Sequence, residues 1–188
     1  MTSRNEGGKP CVFFDRDGIV NVSPGPGYVE RLEDFHIMPA FLDALRVVRE
    51  RGFEAVIVTN QRGVGRGLMT QNTLDEIHAS LLEAVEREGL DLLDIFQCTA
   101  DDNSHPNRKP NPGMLFDAAK KHGLDLARSW MIGDNEKDVL AGRGAGCRTV
   151  LVDPSERSTE ADHRVPDMTE LANFLRKTLC IDRDSFRN

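Results

Sequence analysis

Two aspartates flank one arginine in Phe13-Phe14-Asp15-Arg16-Asp17-Gly18, immediately after the apolar run Cys11–Phe14. Charge at the end of an apolar strand is costly unless it is paired or metal-bound. Asp15 and Asp17 therefore call for a cation. A carboxylate can attack phosphorus and form an aspartyl-phosphate. A second carboxylic acid nearby can protonate the leaving alkoxide and then deprotonate water. Most isolated Asp-x-Asp-Gly tetrads are solvated turns, so the chemistry depends on what else reaches the same place.

Three other segments supply candidates. Gly133-Asp134-Asn135 follows the apolar Trp130-Met131-Ile132, and Mg²⁺ needs only one or two carboxylates besides a substrate phosphate and water. The plain alternative makes Asp134 or Asn135 a helix N-cap and Asp138 a first-turn acid favoured by the helix dipole. For Asp138 both readings stay open. Thr59 ends the run Ala55-Val56-Ile57-Val58, where its hydroxyl and the next N–H groups could hold a phosphoryl oxygen or simply end a strand. Lys109 stands between Arg108 and Pro110-Asn111-Pro112, offering charge to a phosphate and a nucleophile. Two carboxylates, a hydroxyl, a lysine and a further carboxylate suit covalent phosphoryl transfer assisted by a divalent metal. The glycines of Arg62-Gly63-Val64-Gly65-Arg66-Gly67 match neither the Walker nor the dinucleotide fingerprint, and the expectation there is a tight turn.

These groups need a scaffold that gathers them. Short apolar runs at 11–14, 55–58, 95–98, 130–132 and 147–152 read as buried strands. Helical spacing marks 39–51, 71–88, 112–122, 136–145 and 169–179, most clearly at Leu74, Ile77, Leu81, Leu82 and Val85. Thr70 is an expected N-cap with Thr73 at N3. Pro39 and Pro112 sit near helix starts, and Gly52, Gly89, Gly123 and Gly146 near helix ends. Alternating strands and helices give right-handed βαβ units and a parallel sheet, whose strand carboxyl ends are where ligands bind. The expected fold is a three-layer α/β sandwich of Rossmann-like topology around a central parallel sheet. It would be one domain over 10–179, with a disordered N-terminus (1–9) and a polar tail (180–188). The loop 19–38, with Pro24-Gly25-Pro26-Gly27 inside it, is longer than a normal connection. It is expected to be a flap over the site.

The chain of 188 residues suffices for one hydrophobic core. A net charge of −7 argues against a nucleic-acid binder. No apolar stretch approaches a membrane span and the first ten residues lack a signal-peptide core. Cys11, Cys98, Cys147 and Cys180 are widely spaced, which favours reduced thiols over a disulfide framework. The expectation is a cytoplasmic monomer with no nucleic-acid or membrane partner.

In these residues the chain resembles the haloacid dehalogenase superfamily of phosphatases, whose four motifs stand in order as Asp15-Arg16-Asp17-Gly18, Thr59-Asn60, Lys109-Pro110 and Gly133-Asp134-Asn135-Glu136-Lys137-Asp138. It is similar, more narrowly, to the capless branch of heptose 1,7-bisphosphate and histidinol-phosphate phosphatases. Asp15 to Asn21, Gly27-Tyr28-Val29, Val58 to Gly67 and Arg108 to Leu115 carry that likeness. The resemblance implies Asp15 as nucleophile, Asp17 as general acid/base, and Mg²⁺ held by Asp15, the Asp17 carbonyl and Asp134. It implies Thr59 and Lys109 as phosphoryl stabilisers. Arg108, the loop with Ser23 and Tyr28, and Asn60, Gln61 and Arg62 would contact the substrate. The implied substrate is a small phosphorylated metabolite, heptose bisphosphate ahead of histidinol phosphate. The branch commonly carries a four-ligand zinc loop before Arg-Lys-Pro. Here only Cys98 and His105 remain, too few to close a tetrahedral site, and no structural zinc is expected. A receiver-like signalling domain shares an acidic site with Thr and Lys but places its phosphoacceptor later in the chain. A phosphomutase would need a cap to exclude water.

Overall fold

The computed structural model describes residues 8–179. Six strands, β1 (Cys11–Phe14), β2 (Glu54–Asn60), β3 (Asp94–Cys98), β4 (Trp130–Gly133), β5 (Arg148–Val152) and β6 (His163–Val165), form one sheet in the order β3-β2-β1-β4-β5-β6. Every pairing is parallel. Helices α1 (Pro39–Glu50), α3 (Gln71–Arg87) and α6 (Met168–Thr178) bury Leu45, Leu74 and Leu175 with Val12, Phe14 and Ile57. On the other face α4 (Gly113–His122) and α5 (Glu136–Gly144) bury Met114, Leu115 and Ala141 with Cys11, Phe13, Val56 and Val58. Alternate strand residues thus feed opposite cores, as a twofold side-chain period requires. This is the three-layer α/β sandwich expected from the alternating pattern. Cys11, Cys98 and Cys147 are buried and free; Cys180 lies outside the described residues. Among those residues no helix is long and apolar enough to cross a membrane.

Several local expectations change. β6 carries one apolar residue, Val165, in three, so backbone pairing to β5 rather than hydrophobic patterning defines it. Arg62–Gly65 coils into a one-turn helix, α2, where a tight turn is expected. Leu82 is exposed, on the rim of the α3 stripe centred on Leu74, Ile77, Leu81 and Val85. Thr70 caps α3 by accepting from the Thr73 N–H at 3.1 Å. The expected disordered N-terminus (1–9) and tail (180–188) lie outside the described residues except for Gly8 and Lys9. Lys9 is tied down: its N–H donates to the Gly123 carbonyl at 3.0 Å and its ammonium reaches Glu54 at 2.9 Å.

The strand order reverses beside β1, the place where open α/β sheets bind ligands. Phe14 pairs with Ile57 of β2 and Ile132 of β4, and the Asp15 N–H donates to the Ile132 carbonyl at 2.9 Å. The chain beyond Phe14, Val58 and Gly133 therefore converges on one edge. The loop 19–38 is anchored at its base by buried Ile19, Val20, Val29 and Phe35. The Val22 N–H donates to the His36 carbonyl and that of Met38 to Val20, both at 2.9 Å. Its 23–28 tip reaches the cleft.

Phe14 couples core and site: it is fully buried, packs edge-on against Phe41 at 5.4 Å, and directly precedes Asp15. Phe14→Ala should lower unfolding free energy by about 3–5 kcal/mol in urea titration; a loss under about 1 kcal/mol would mean that β1 is not packed as described.

Candidate active site

Lys109 is the centre of the site. Its Nζ lies 2.7 Å from Asp15 Oδ1, 2.8 Å from Asp138 Oδ1 and 2.8 Å from the Val58 carbonyl, so its three protons meet three acceptors. Lys109 and Asp138 are buried. Burial alone would pull the lysine pKa down, but Asp138 and Asp15 outweigh it and hold the ammonium above its usual value. Asn60 sets the lysine backbone: its Nδ2 donates to the Lys109 carbonyl at 2.9 Å and its Oδ1 accepts the Lys109 N–H at 3.0 Å. The Lys109–Pro110 peptide is cis.

Asp138 serves two structures at once. Asn135 caps α5 by accepting the Lys137 N–H at 3.2 Å, and Asp138 Oδ2 returns the capping box by accepting the Asn135 N–H at 3.2 Å. Its other oxygen faces Lys109. Gly133 makes room for it, since a Cβ there would collide with the Asp138 carboxyl.

Asp15, Asp134 and Asp138 bring carboxylate oxygens within 4.8 Å of one another. Desolvation, then Asp138, raise the Asp15 carboxyl to about 6 against the pull of Lys109. Desolvation and Asp15 raise Asp134 to about 6; its exposed side chain leaves the larger electrostatic cost at Asp15. Crowded oxygen donors with too little positive charge fit a divalent cation. Both oxygens of Asp138 are already engaged, so Asp15 and Asp134 are the carboxylates left to face it. Gly18, at φ 89, lies so close to Asp134 Oδ2 that any Cβ would displace it.

Asp17 has separate surroundings. Arg16 Nη2 donates to its Oδ1 at 2.8 Å and its Oδ2 at 3.0 Å, Asn21 Nδ2 to Oδ1 at 3.0 Å, and Gln61 Nε2 to Oδ2 at 3.0 Å. Gln61 Nε2 also donates to Thr59 Oγ1 at 2.8 Å.

Asp15, Asp17, Ser23, Tyr28, Asn60, Lys109 and Asp134 line one cleft, together with Asn135, Lys137 and Asp138. Thr59, Gln61, Arg62 and Arg108, expected to touch phosphate or substrate, lie outside that lining. Thr59 and Gln61 are buried beneath Asp17. Arg62 pairs with Asp101 and donates to its carbonyl at 2.7 Å, while Arg66 reaches Asp101 at 2.9 Å. Arg108, also buried, donates to Asn103 Oδ1 and the Ala100 carbonyl, each at 3.2 Å. Asn60 lines the cleft but spends its amide on Lys109. Lys137 carried no sequence signal beyond following Asp134; Arg16, Asn21 and His78 join the Asp17 surroundings unannounced, although a histidine on the apolar stripe of α3 was a visible anomaly.

The family described as HAD-hydrolase-like matches residues 106–176. A D-glycero-beta-D-manno-heptose-1,7-bisphosphate 7-phosphatase of Helicobacter pylori is 36% identical over 144 residues, covering 76% of this chain and 82% of that protein. A relative of the same name from Mesorhizobium japonicum is 31% identical over 187 residues, covering 94% and 85%. The crystal structure of D,D-heptose 1,7-bisphosphate phosphatase from B. bronchiseptica, complexed with magnesium and phosphate, superposes with a TM-score of 0.80 at 29% identity, covering 89% of this chain and 98% of that one.

The raised carboxyls make metal binding visible as stability. Asp15 and Asp134 bind protons more tightly folded, at about 6, than in an unfolded chain, at about 4. The cost of ionising them, lost solvation first and neighbouring carboxylates second, is absent below about pH 4, grows through the window between and is complete above 6. Magnesium chloride should therefore raise the melting temperature of chelator-treated protein at pH 7.5 by about 5–10 °C near saturation, and far less at pH 4.5. An equal shift at both pH values, or none at pH 7.5, would contradict the cation site.

Proposed function

Because the chain belongs to the haloacid dehalogenase-like phosphatases, we propose that it hydrolyses D-glycero-D-manno-heptose 1,7-bisphosphate at the 7-phosphate through an aspartyl-phosphate on Asp15. One observation carries the reading: Lys109, itself fixed by Asp138, pairs with Asp15 at the strand-end cleft, with Asp134 beside it and Asp17 two residues on. An Asp15 oxygen attacks phosphorus as the sugar alkoxide departs, taking its proton from Asp17. Asp17 then accepts a proton from the water that attacks the acyl phosphate, releasing phosphate and restoring Asp15. Lys109 neutralises charge at the nucleophile throughout. Mg²⁺, held by Asp15, Asp134 and the Asp17 carbonyl, would supply charge neutralisation for the phosphoryl oxygens.

The distal phosphate needs a cation. Arg62 and Arg66 are occupied by Asp101 and Arg108 by its own loop, whereas Lys137 lines the cleft; it is the group that reads the second phosphate here. Histidinol phosphate would need an acid opposite its amine. Glu33 and Asp34 instead pair with Arg31 at 2.7 Å and 3.1 Å, and neither they nor Glu30 line the cleft. The loop 98–108 closes without four zinc ligands. Asp102 accepts from the Ser104 N–H and hydroxyl at 2.8 Å and 2.7 Å, Asn111 donates to the His105 carbonyl at 3.0 Å, and Cys98 Sγ lies 3.6 Å from His105 Nδ1. Elemental analysis of unchelated protein should find less than about one zinc per two chains; a stoichiometric, dialysis-resistant zinc would contradict a zinc-free loop.

Phosphate release decides the rest. Asp15→Asn should abolish turnover, and Asp17→Asn should slow it by about 10²–10⁴. kcat/KM should favour heptose 1,7-bisphosphate over histidinol phosphate, and Lys137→Ala should lower it about tenfold for the bisphosphate, mainly through KM. Turnover by Asp15→Asn would remove the covalent route, and the opposite preference would transfer the chain to histidinol phosphate.

A further inference from the structure

Arg16 is the largest fully buried side chain among the described residues, although it sits between two aspartates of a polar cleft. Its guanidinium spends one edge on Asp17: Nη2 spans both carboxylate oxygens at 2.8 Å and 3.0 Å, and Nε lies 3.3 Å from Oδ1. The Phe35 ring lies 5.7 Å from the guanidinium carbon. On the side away from Asp17, Nη1 lies 3.5 Å from Nε2 of His78, a buried residue of α3. Burial and the Arg16 charge lower the His78 pKa to about 4, so the ring is neutral and its Nε2 faces the arginine as an acceptor.

Among the described residues, the other side chains that donate to Asp17 are Asn21 and Gln61. Asn21 turns its nitrogen to the carboxylate while its own buried Oδ1 has no hydrogen-bond partner among the described residues. Side chains on two loops are thus arranged around one carboxylate whose side chain keeps 25% exposure at the cleft, and a helix residue 62 positions from Arg16 backs the guanidinium. A buried ion pair is a poor source of net stability compared with apolar packing, whereas a planar fork fixes the orientation of a carboxylate as an ammonium does not.

We propose that Arg16, backed by His78, is a positioning residue that aims the Asp17 carboxyl at the leaving oxygen of the substrate. This rests on the assignment of Asp17 as the proton donor. Donation matters for an alkoxide leaving group and hardly at all for 4-nitrophenolate, and kcat/KM reports steps up to leaving-group departure. Comparing the two substrates therefore separates positioning from general damage to the fold.

Arg16→Lys and His78→Leu should each lower kcat/KM for heptose 1,7-bisphosphate tenfold or more while changing that for 4-nitrophenyl phosphate less than threefold. His78→Gln, whose amide oxygen can accept from Arg16, should return the bisphosphate value to within threefold of wild type. Asp17→Asn is the reference for selective loss. If Asp17→Asn depresses both substrates alike, the proton-donor assignment fails. If Asp17→Asn is selective but Arg16→Lys and His78→Leu are not, or His78→Gln behaves like His78→Leu, the positioning proposal is overturned. Should His78→Leu not fold, Arg16→Lys decides by the same criterion.

Discussion

The buried ammonium of Lys109 is the constraint around which the site is built. Taking a charge of this kind out of water costs several kcal/mol, and only a full set of acceptors offsets that. The set comes from three separate parts of the chain: Asp15 after β1, the Val58 carbonyl near the end of β2, and Asp138 in the first turn of α5. Each acceptor is specified by its distance from one nitrogen, so strand ends far apart in sequence are held in a common register. Asn60 fixes the lysine main chain, and Gly133 leaves the space that Asp138 occupies. Removing Lys109 would leave the buried Asp138 and the part-buried Asp15 without their shared cation, a far larger perturbation than losing one surface ion pair.

The same geometry explains how two aspartates one residue apart can serve different ends. Asp15 shares its surroundings with Asp138, Asp134 and Lys109, where carboxylates outnumber ammoniums and burial raises its affinity for a proton or a metal. Asp17 turns to a guanidinium and two amides. Neighbouring carboxyls set apart by their environments are a recurrent basis for dividing acid, base and nucleophile roles. Here the turn at Gly18 separates them, because a strand continuing past Asp15 would point both side chains to one face.

The arginines illustrate how tertiary contacts redistribute charge. Counted along the chain, Arg62, Arg66 and Arg108 make the cleft look well supplied for a second phosphate. In the fold, Asp101 absorbs the first two and the 98–108 loop absorbs the third, leaving Lys137 on the cleft wall. A negative chain can still offer a local positive group to an anionic substrate, but which group does so depends on the unlike charges that reach it first.

Composition and spacing alone determined the layered α/β architecture, since buried parallel strands must be apolar runs and their crossover helices must show a 3.6-residue stripe. They also placed Asp15, Asp17 and Asp134 just beyond strand ends, because charge after an apolar run has nowhere else to go, with Thr59 closing its own run. Partnership was not legible. β6 is set by pairing of main-chain groups, the double service of Asp138 by a glycine 5 residues earlier and a lysine 29 residues earlier, and the burial of Arg16 by Phe35 and His78. Local sequence encodes which face or end a residue occupies. Only the packed structure decides which opposite charge, amide or ring stands within 3 to 6 Å of it, because those neighbours come from segments brought together by the sheet order and not by the chain.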